Sequence, residues 1–282
     1  MEILTLKPFR LILLISLASG IMAQNQSADP KPTFERPSYE SPLPVLLELG
    51  TYHAHISNGI GYWRGADASI WIRNNPRFTP VFMFNSQTRP EGTQQNYGFF
   101  SYYNWSKSFY TTQGFSVTPF VEQNRPLLFP RQRYDVKAHY KTGFNKKLVL
   151  TSGFTYFDFR NSAKGQIYSA GFLYYPTKMV IEGNYNVNHN QPGDHLSSSA
   201  NLSAQYGREG KYWFGATVGG GKEVYSYVAR TPLEINVAGY SAQVFFRKWL
   251  TRHTGFMLGV EHQNKLGLYT RIGGYGRVFF EF

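Results

Sequence analysis

From Val45 to the last residue the chain alternates apolar and polar side chains in short runs broken by turn chemistry. In KMVIEGNYNVN, Met179, Ile181, Tyr185 and Val187 share one face of an extended strand, and Glu182, Asn184, Asn186 and Asn188 share the other. HLSSSANLSAQY sets Leu196, Ala200, Leu202, Ala204 and Tyr206 against Ser197, Ser199, Asn201, Ser203 and Gln205, and RYDVKAHYKTG sets Tyr134, Val136, Ala138 and Tyr140 against Asp135, Lys137, His139 and Lys141. The final run, RIGGYGRVFFEF, has Ile272, Val278, Phe280 and Phe282 on one side and Arg271, Tyr275, Arg277 and Glu281 on the other. No helical period competes with this alternation, so the elements are strands. Counting the runs predicts about fourteen of them, with about twelve the nearest even alternative.

Alternation alone also fits a secreted β-sandwich, whose outer face would meet bulk water and be rich in Lys and Glu. Here the polar faces are Ser, Asn, Gln, Thr and Gly, and the clusters FFSYYNW, YFDF, FLYY and KYWF read as interfacial aromatic girdles. A mean hydropathy of -0.37 beside 17% aromatic residues is odd for a soluble core but suits a wall with lipid outside and a polar lumen inside. The predicted fold is therefore all-β, a transmembrane antiparallel up-and-down barrel.

The ends of the chain fit that compartment. Lys7 and Arg10 precede the apolar run LILLISLASGIMA and a polar start at Gln24, the pattern of a secretory leader over 1–23 cleaved after Ala23. The run is shorter than the ~20 residues of a spanning helix. Residues 24–44 contain Pro30, Pro32, Pro37, Pro42 and Pro44 and predict an extended periplasmic linker before a barrel over 45–282. Short connections near Pro76, Asn145, Pro176 and Glu209 alternate with longer ones, SQTRPEGTQQ, VEQNRPLLFPRQR, RNSAKGQ, NHNQPGDH and KEVYSYVARTPLEINVAG. That asymmetry predicts both termini in the periplasm of a Gram-negative-type bacterium. Val278, Phe280 and the terminal Phe282 resemble the signal read by the outer-membrane assembly machinery. With 0 cysteines, disulfides, thiolate metal sites and cysteine nucleophiles are excluded.

From about Val45 to Phe282 the chain resembles the YaiO-type outer-membrane β-barrel family. The blocks that carry the resemblance are FPRQRYDVKAHY, KLVLTSGFTYFDF, IYSAGFLYYPTKMVIEGNYNVNH, LSSSANLSAQYGREGKYWFGATVGGGKE and the closing VFFEF. The resemblance implies a small outer-membrane barrel without an established biochemical activity, and it transfers no catalytic residue. Some members carry tetratricopeptide repeats before the barrel, where this chain has only the proline-rich linker.

The formal net charge is +12, of which the leader holds +1 (Lys7 and Arg10 against Glu2), leaving about +11 on the mature chain. An exported chain without a nucleic-acid motif meets other anions: glycolipid phosphates or a solute in the lumen. Parity points Lys137, Lys141, Arg271 and Arg277 inward, where a cationic ring would concentrate an anionic solute. The same residues would equally form a structural charge ladder by pairing with Asp135, Glu182 and Glu281. His53 and His55 share a face, but Glu48 falls on the other, so a metal site lacks its further ligands. Asn188, His189, Asp194, His195 and Ser197 hold the residue types of a rim hydrolase within one loop region, whereas such triads are usually gathered from separate elements. GATVGGGKE lacks the phosphate-loop pattern and lies on a predicted strand. The expected function is a narrow pore or export conduit for an anionic or saccharide solute. The alternative is a structural or docking barrel with a plugged lumen in an envelope or polysaccharide assembly. Neither an enzyme activity nor a cofactor is expected, and the expected partners are outer-membrane lipid and glycolipid and the assembly machinery.

Overall fold

The computed structural model describes residues 43–119, 128–142, 147–159, 164–191, 193–226 and 233–282. The leader 1–23 and the linker up to residue 42 lie outside these residues. The strands are β1 (Val45–Ile56), β2 (Gly61–Ile72), β3 (Phe78–Arg89), β4 (Gly92–Asn104), β5 (Phe109–Val117), β6 (Gln132–Lys141) and β7 (Leu148–Asp158). They continue as β8 (Lys164–Tyr174), β9 (Met179–Gln191), β10 (His195–Arg208), β11 (Tyr212–Ser226), β12 (Leu233–Trp249), β13 (Thr254–Lys265) and β14 (Tyr269–Glu281). Each pairs antiparallel with its sequence neighbours, and β1 pairs with β14 to close the barrel of 14 strands.

Closure matters because lipid offers no hydrogen bonds to an open sheet edge. The register runs from Leu46↔Glu281 to Ile56↔Arg271. Beyond it, Val45 N–H donates to the Phe282 carbonyl at 2.8 Å and Phe282 N–H returns the bond to Val45 at 3.0 Å, so the seam is fastened to the last residue.

Side-chain parity then sorts the wall. Phe82, Phe99, Leu150, Phe172, Leu202, Val218 and Leu258 are exposed on the outer face and form its apolar band. Tyrosines bracket the band with a spacing of about six residues on β4 (Tyr97, Tyr103), β6 (Tyr134, Tyr140) and β8 (Tyr168, Tyr174), about 20 Å along each strand. These are the two girdles of a membrane barrel.

Two of the expected long loops are strand and tight turn instead. SQTRPEGTQQ continues β3 to Arg89, turns at 90–91 and re-enters β4 at Gly92, while NHNQPGDH belongs mostly to β9 and β10. Beyond the girdle at that end both faces of the wall are wet, so the apolar half of the alternation vanishes although the ladder continues. The β1–β2 turn holds Asn58 and Gly59 at φ 61° and 72°, the left-handed pair a two-residue reversal between twisted strands requires. The connection VEQNRPLLFPRQR remains long between β5 and β6, and parts of it, of RNSAKGQ and of KEVYSYVARTPLEINVAG lie outside the described residues.

Candidate functional site

The interior of the barrel divides into two unlike halves. Along β12, β13, β14, β1 and β2, large charged and aromatic side chains fill the space. Arg247 donates from Nη1 to Glu48 Oε1 at 2.6 Å and lies over the Phe279 ring at 4.0 Å. Arg277 pairs with Asp67 at 3.2 Å, Arg271 with Glu261 at 3.0 Å, and Arg73 with Glu281 at 3.3 Å. Gly50 of β1 stands between Asp67 and Arg277 in the register, and its missing side chain is what lets that pair meet across β1. A buried charge survives in such a place when it is paired and hydrogen-bonded, and each of these carboxylates has its cation.

At the end that carries the termini, an apolar collar runs from β11 through β12, β14, β1, β2 and β3 to β4. Leu46, Trp71, Val81, Phe100, Tyr102, Trp213, Trp249 and Phe279 form one buried cluster, with Val180 of β9 packed against it. A second cluster, Tyr110, Val149 and Leu173, covers β5, β7 and β8 at the same end. His139 stacks on Tyr110 with ring centroids 4.2 Å apart and planes 7° from parallel. Arg73, at the end of β2, also reaches Glu209 beyond β10 at 3.9 Å. In a ring of 14 strands, β2 and β10 stand almost diametrically opposed. The terminal mouth is thus bridged and lined with rings.

The other half, along β7 to β11, has small and mostly uncharged groups facing inward. Glu182, Asn184, Asn186, Asn188 and Asn190 of β9 lie beside Ser203, Asn201, Ser199, Ser197 and His195 of β10 in register, with Thr151, Thr155 and Ser169 beyond them. Asn186 donates to Ser199 Oγ and Asn188 to Ser197 Oγ, each at 3.4 Å. Asn188 Oδ1 and Thr151 Oγ1 are buried without a hydrogen-bond partner, and Asn188, Asn190, Ser197 and Ser199 are themselves buried in this stretch of the wall. At its border Lys137 meets Glu182 at 3.7 Å and donates to Asn184 at 3.2 Å, and Arg133 holds Asp135 through two bonds of 2.8 Å.

The residues singled out from the sequence fall as follows. Lys141, Arg271 and Arg277 are buried inside the barrel, and Lys137 is mostly covered there. Lys137 meets Glu182, one of the three acids named as possible partners, but Arg271 and Arg277 take Glu261 and Asp67, which parity had not singled out. Both acids sit at inward positions of alternating runs, GADASIW and GVEHQNK, so the signal was available. Lys141 lies 5.3 Å from the centre of the Tyr110 ring. Val278, Phe280 and Phe282 are exposed on the outer face at the end of the chain. His53 and His55 also face outward, with ring centroids 5.1 and 5.0 Å from that of Tyr62, while Glu48 lies inside. Among the described residues no group of three or more His, Cys, Asp or Glu side chains could hold a metal. The hydrolase set is split: His189 pairs with Asp194 on the outer side of the turn, whereas Ser197 is buried inside with Asn188.

The fold recurs among solved structures. A bacterial polysaccharide outer-membrane secretin superposes with a TM-score of 0.55 at 7% identity, covering 86% of this chain and 100% of its own. The CymD monoaromatic hydrocarbon channel gives 0.57 at 9% identity, covering 86% and 89%. No curated protein matches the chain. The model of the YaiO membrane β-barrel domain matches residues 46–226, from the first strand to the end of β11. With its closed antiparallel wall, its lipid-facing band and this match, the chain belongs to the YaiO family of outer-membrane β-barrels, with a porin-like, channel-type fold.

Proposed function

We propose that the barrel is a narrow conduit for a neutral polar solute of saccharide type, which moves along the inner wall of β7 to β11. The supporting observation is the division of the interior: one half is packed with ion pairs, while the other presents the Asn and Ser ladder of β9 and β10. Alternating carboxamides and hydroxyls donate and accept in turn, which is how a chain of sugar hydroxyls is held weakly at many places. An anion would find less, because Lys137, Arg271 and Arg277 already face carboxylates. Barrels of ~8 strands are filled by side chains and those of ~16–18 leave an open channel. Fourteen strands with one half filled suit a passage narrower than a general porin. Neighbours of this fold are described as a polysaccharide secretin and a hydrocarbon channel, so cargo follows the wall and not the fold.

No catalytic step belongs to this function, in keeping with His189 and Ser197 on opposite faces. The same reading has the termini in the periplasm, with Val278, Phe280 and Phe282 presented outward for the assembly machinery. A docking barrel is the second reading, and the collar with the Arg73 bridge favours it.

The test is planar-bilayer conductance of the refolded mature barrel, with and without added oligosaccharide, for the wild type and for Arg73→Ala/Trp213→Ala. A saccharide conduit gives small, weakly ion-selective conductance that the sugar blocks, and the double variant enlarges it. Strong anion selectivity that Arg277→Glu reverses would restore the cationic ring. No conductance from either folded protein would favour the docking barrel.

A further inference from the structure

Among the described residues the rim at the end bearing the termini is cationic. Each turn at the end bearing the termini carries an exposed Lys or Arg: Arg77, Lys107, Lys147, Lys178, Lys211 and Arg252. The acid described in those turns is Glu209, which faces Arg73. Among the described residues, then, a cationic crown stands at the terminal end.

Its depth follows from its neighbours. Lys107 comes shortly after Trp105, which is 60% exposed, and Arg252 shortly after Leu250, which is 65% exposed. Arg77 adjoins Phe78 and Lys211 adjoins Tyr212 at the terminal edge of the outer face. Girdle rings sit at the boundary between acyl chains and headgroups, so cations just beyond them stand at the level of the phosphates. The turns that carry them follow one another around the circumference of the barrel.

We infer that this crown is a binding surface for anionic phospholipid headgroups, holding a shell of them around the terminal rim. Each charge adds a modest attraction that salt screens, and a ring of them around one circumference selects anionic over zwitterionic lipid. With the termini in the periplasm, as proposed above, the shell lies in the phospholipid leaflet.

Trp105 makes the inference measurable, because Trp63, Trp71, Trp213 and Trp249 are all buried, at 5%, 5%, 9% and 7% exposure. The barrel is refolded in phosphatidylcholine vesicles containing brominated phosphatidylglycerol or, separately, brominated phosphatidylcholine at the same mole fraction, and quenching of tryptophan fluorescence is compared. The brominated phosphatidylglycerol should associate about threefold more strongly, with the preference falling in high salt. It should be lost when Arg77, Lys107, Lys147, Lys178, Lys211 and Arg252 are all changed to Gln. These are exposed turn positions, and gel mobility checks that the variant is folded. Equal quenching by the two lipids in the wild type, or a preference that survives the combined changes, overturns the inference. So does salt-sensitive retention on a polygalacturonate column without lipid preference, which would assign the crown to a soluble anionic polymer. No solute is present in the vesicle measurements, so their failure is separate from failure of the conduit.

Discussion

Gly50→Ala is the most discriminating single change in the wall. Gly50 is the register partner of Asp67 on one side and of Arg277 on the other. A Cβ there would stand 2.6 Å from Asp67 Oδ1 and 2.7 Å from Arg277 Cγ, inside the pair that crosses β1 at 3.2 Å. On backbone grounds alone, alanine would stabilise a strand by about 0.5–1 kcal/mol over glycine. Overpacking opposes that by about 1–3 kcal/mol. Both charged side chains are 8% exposed, so complete loss of the pair would raise the cost toward about 3–5 kcal/mol. The obstructing atoms belong to side chains that can swing aside, so the net expectation is a loss of about 1–2 kcal/mol. In an Asp67→Ala/Arg277→Ala background the obstruction is gone and the sign should reverse, the same Gly50→Ala change gaining about 0.5 kcal/mol. Reversible guanidinium unfolding in short-chain phosphatidylcholine vesicles, followed by tryptophan fluorescence and gel mobility, gives the four free energies of the cycle. A Gly50→Ala change that stabilises the wild type, or costs the same in both backgrounds, would refute the claim that the missing side chain makes room for the pair.

Three other outcomes follow from the same geometry. Phe279→Ala should cost about 3–5 kcal/mol, because the ring is 1% exposed and packs on Trp249 at 5.0 Å, while Phe280→Ala on the lipid side should cost distinctly less in the same titration. Leu202→Arg, in the middle of the outer band, should lose about 2–4 kcal/mol, whereas Ser203→Arg on the adjacent residue should fold in comparable yield; equal losses would contradict the assignment of faces. Glu48→Ala strands Arg247 and should cost about 3 kcal/mol, while Glu48→Leu/Arg247→Met should cost less than the single change, as a double-mutant cycle would show.

Strand number, closure and lipid face were legible because a period of two is local: each residue's side follows from its neighbours. Lys141, Arg271 and Arg277 could be placed inside by that rule. Their partners could not, since Asp67 reaches Arg277 over an intervening strand and only the register brings Gly50 between them. The loops misled for a related reason. SQTRPEGTQQ and NHNQPGDH look like coil because a wall standing in water has no apolar face to display, yet its ladder bonds continue. The crown of turn cations is visible as single residues in the sequence, but becomes a ring only when alternate turns gather at one rim.

What the sequence by itself determined is the class of wall: which residues meet lipid, which face inward, and that the sheet must close. What only the tertiary structure decided is the use of the space enclosed. The closed ring of strands sets Arg73 against Glu209 across the mouth, collects apolar side chains from Leu46 to Phe279 into a collar and leaves the Asn and Ser ladder on the other side. Facing is a property of adjacent residues along one strand, but pairing across a lumen depends on the order, register and number of all the strands at once.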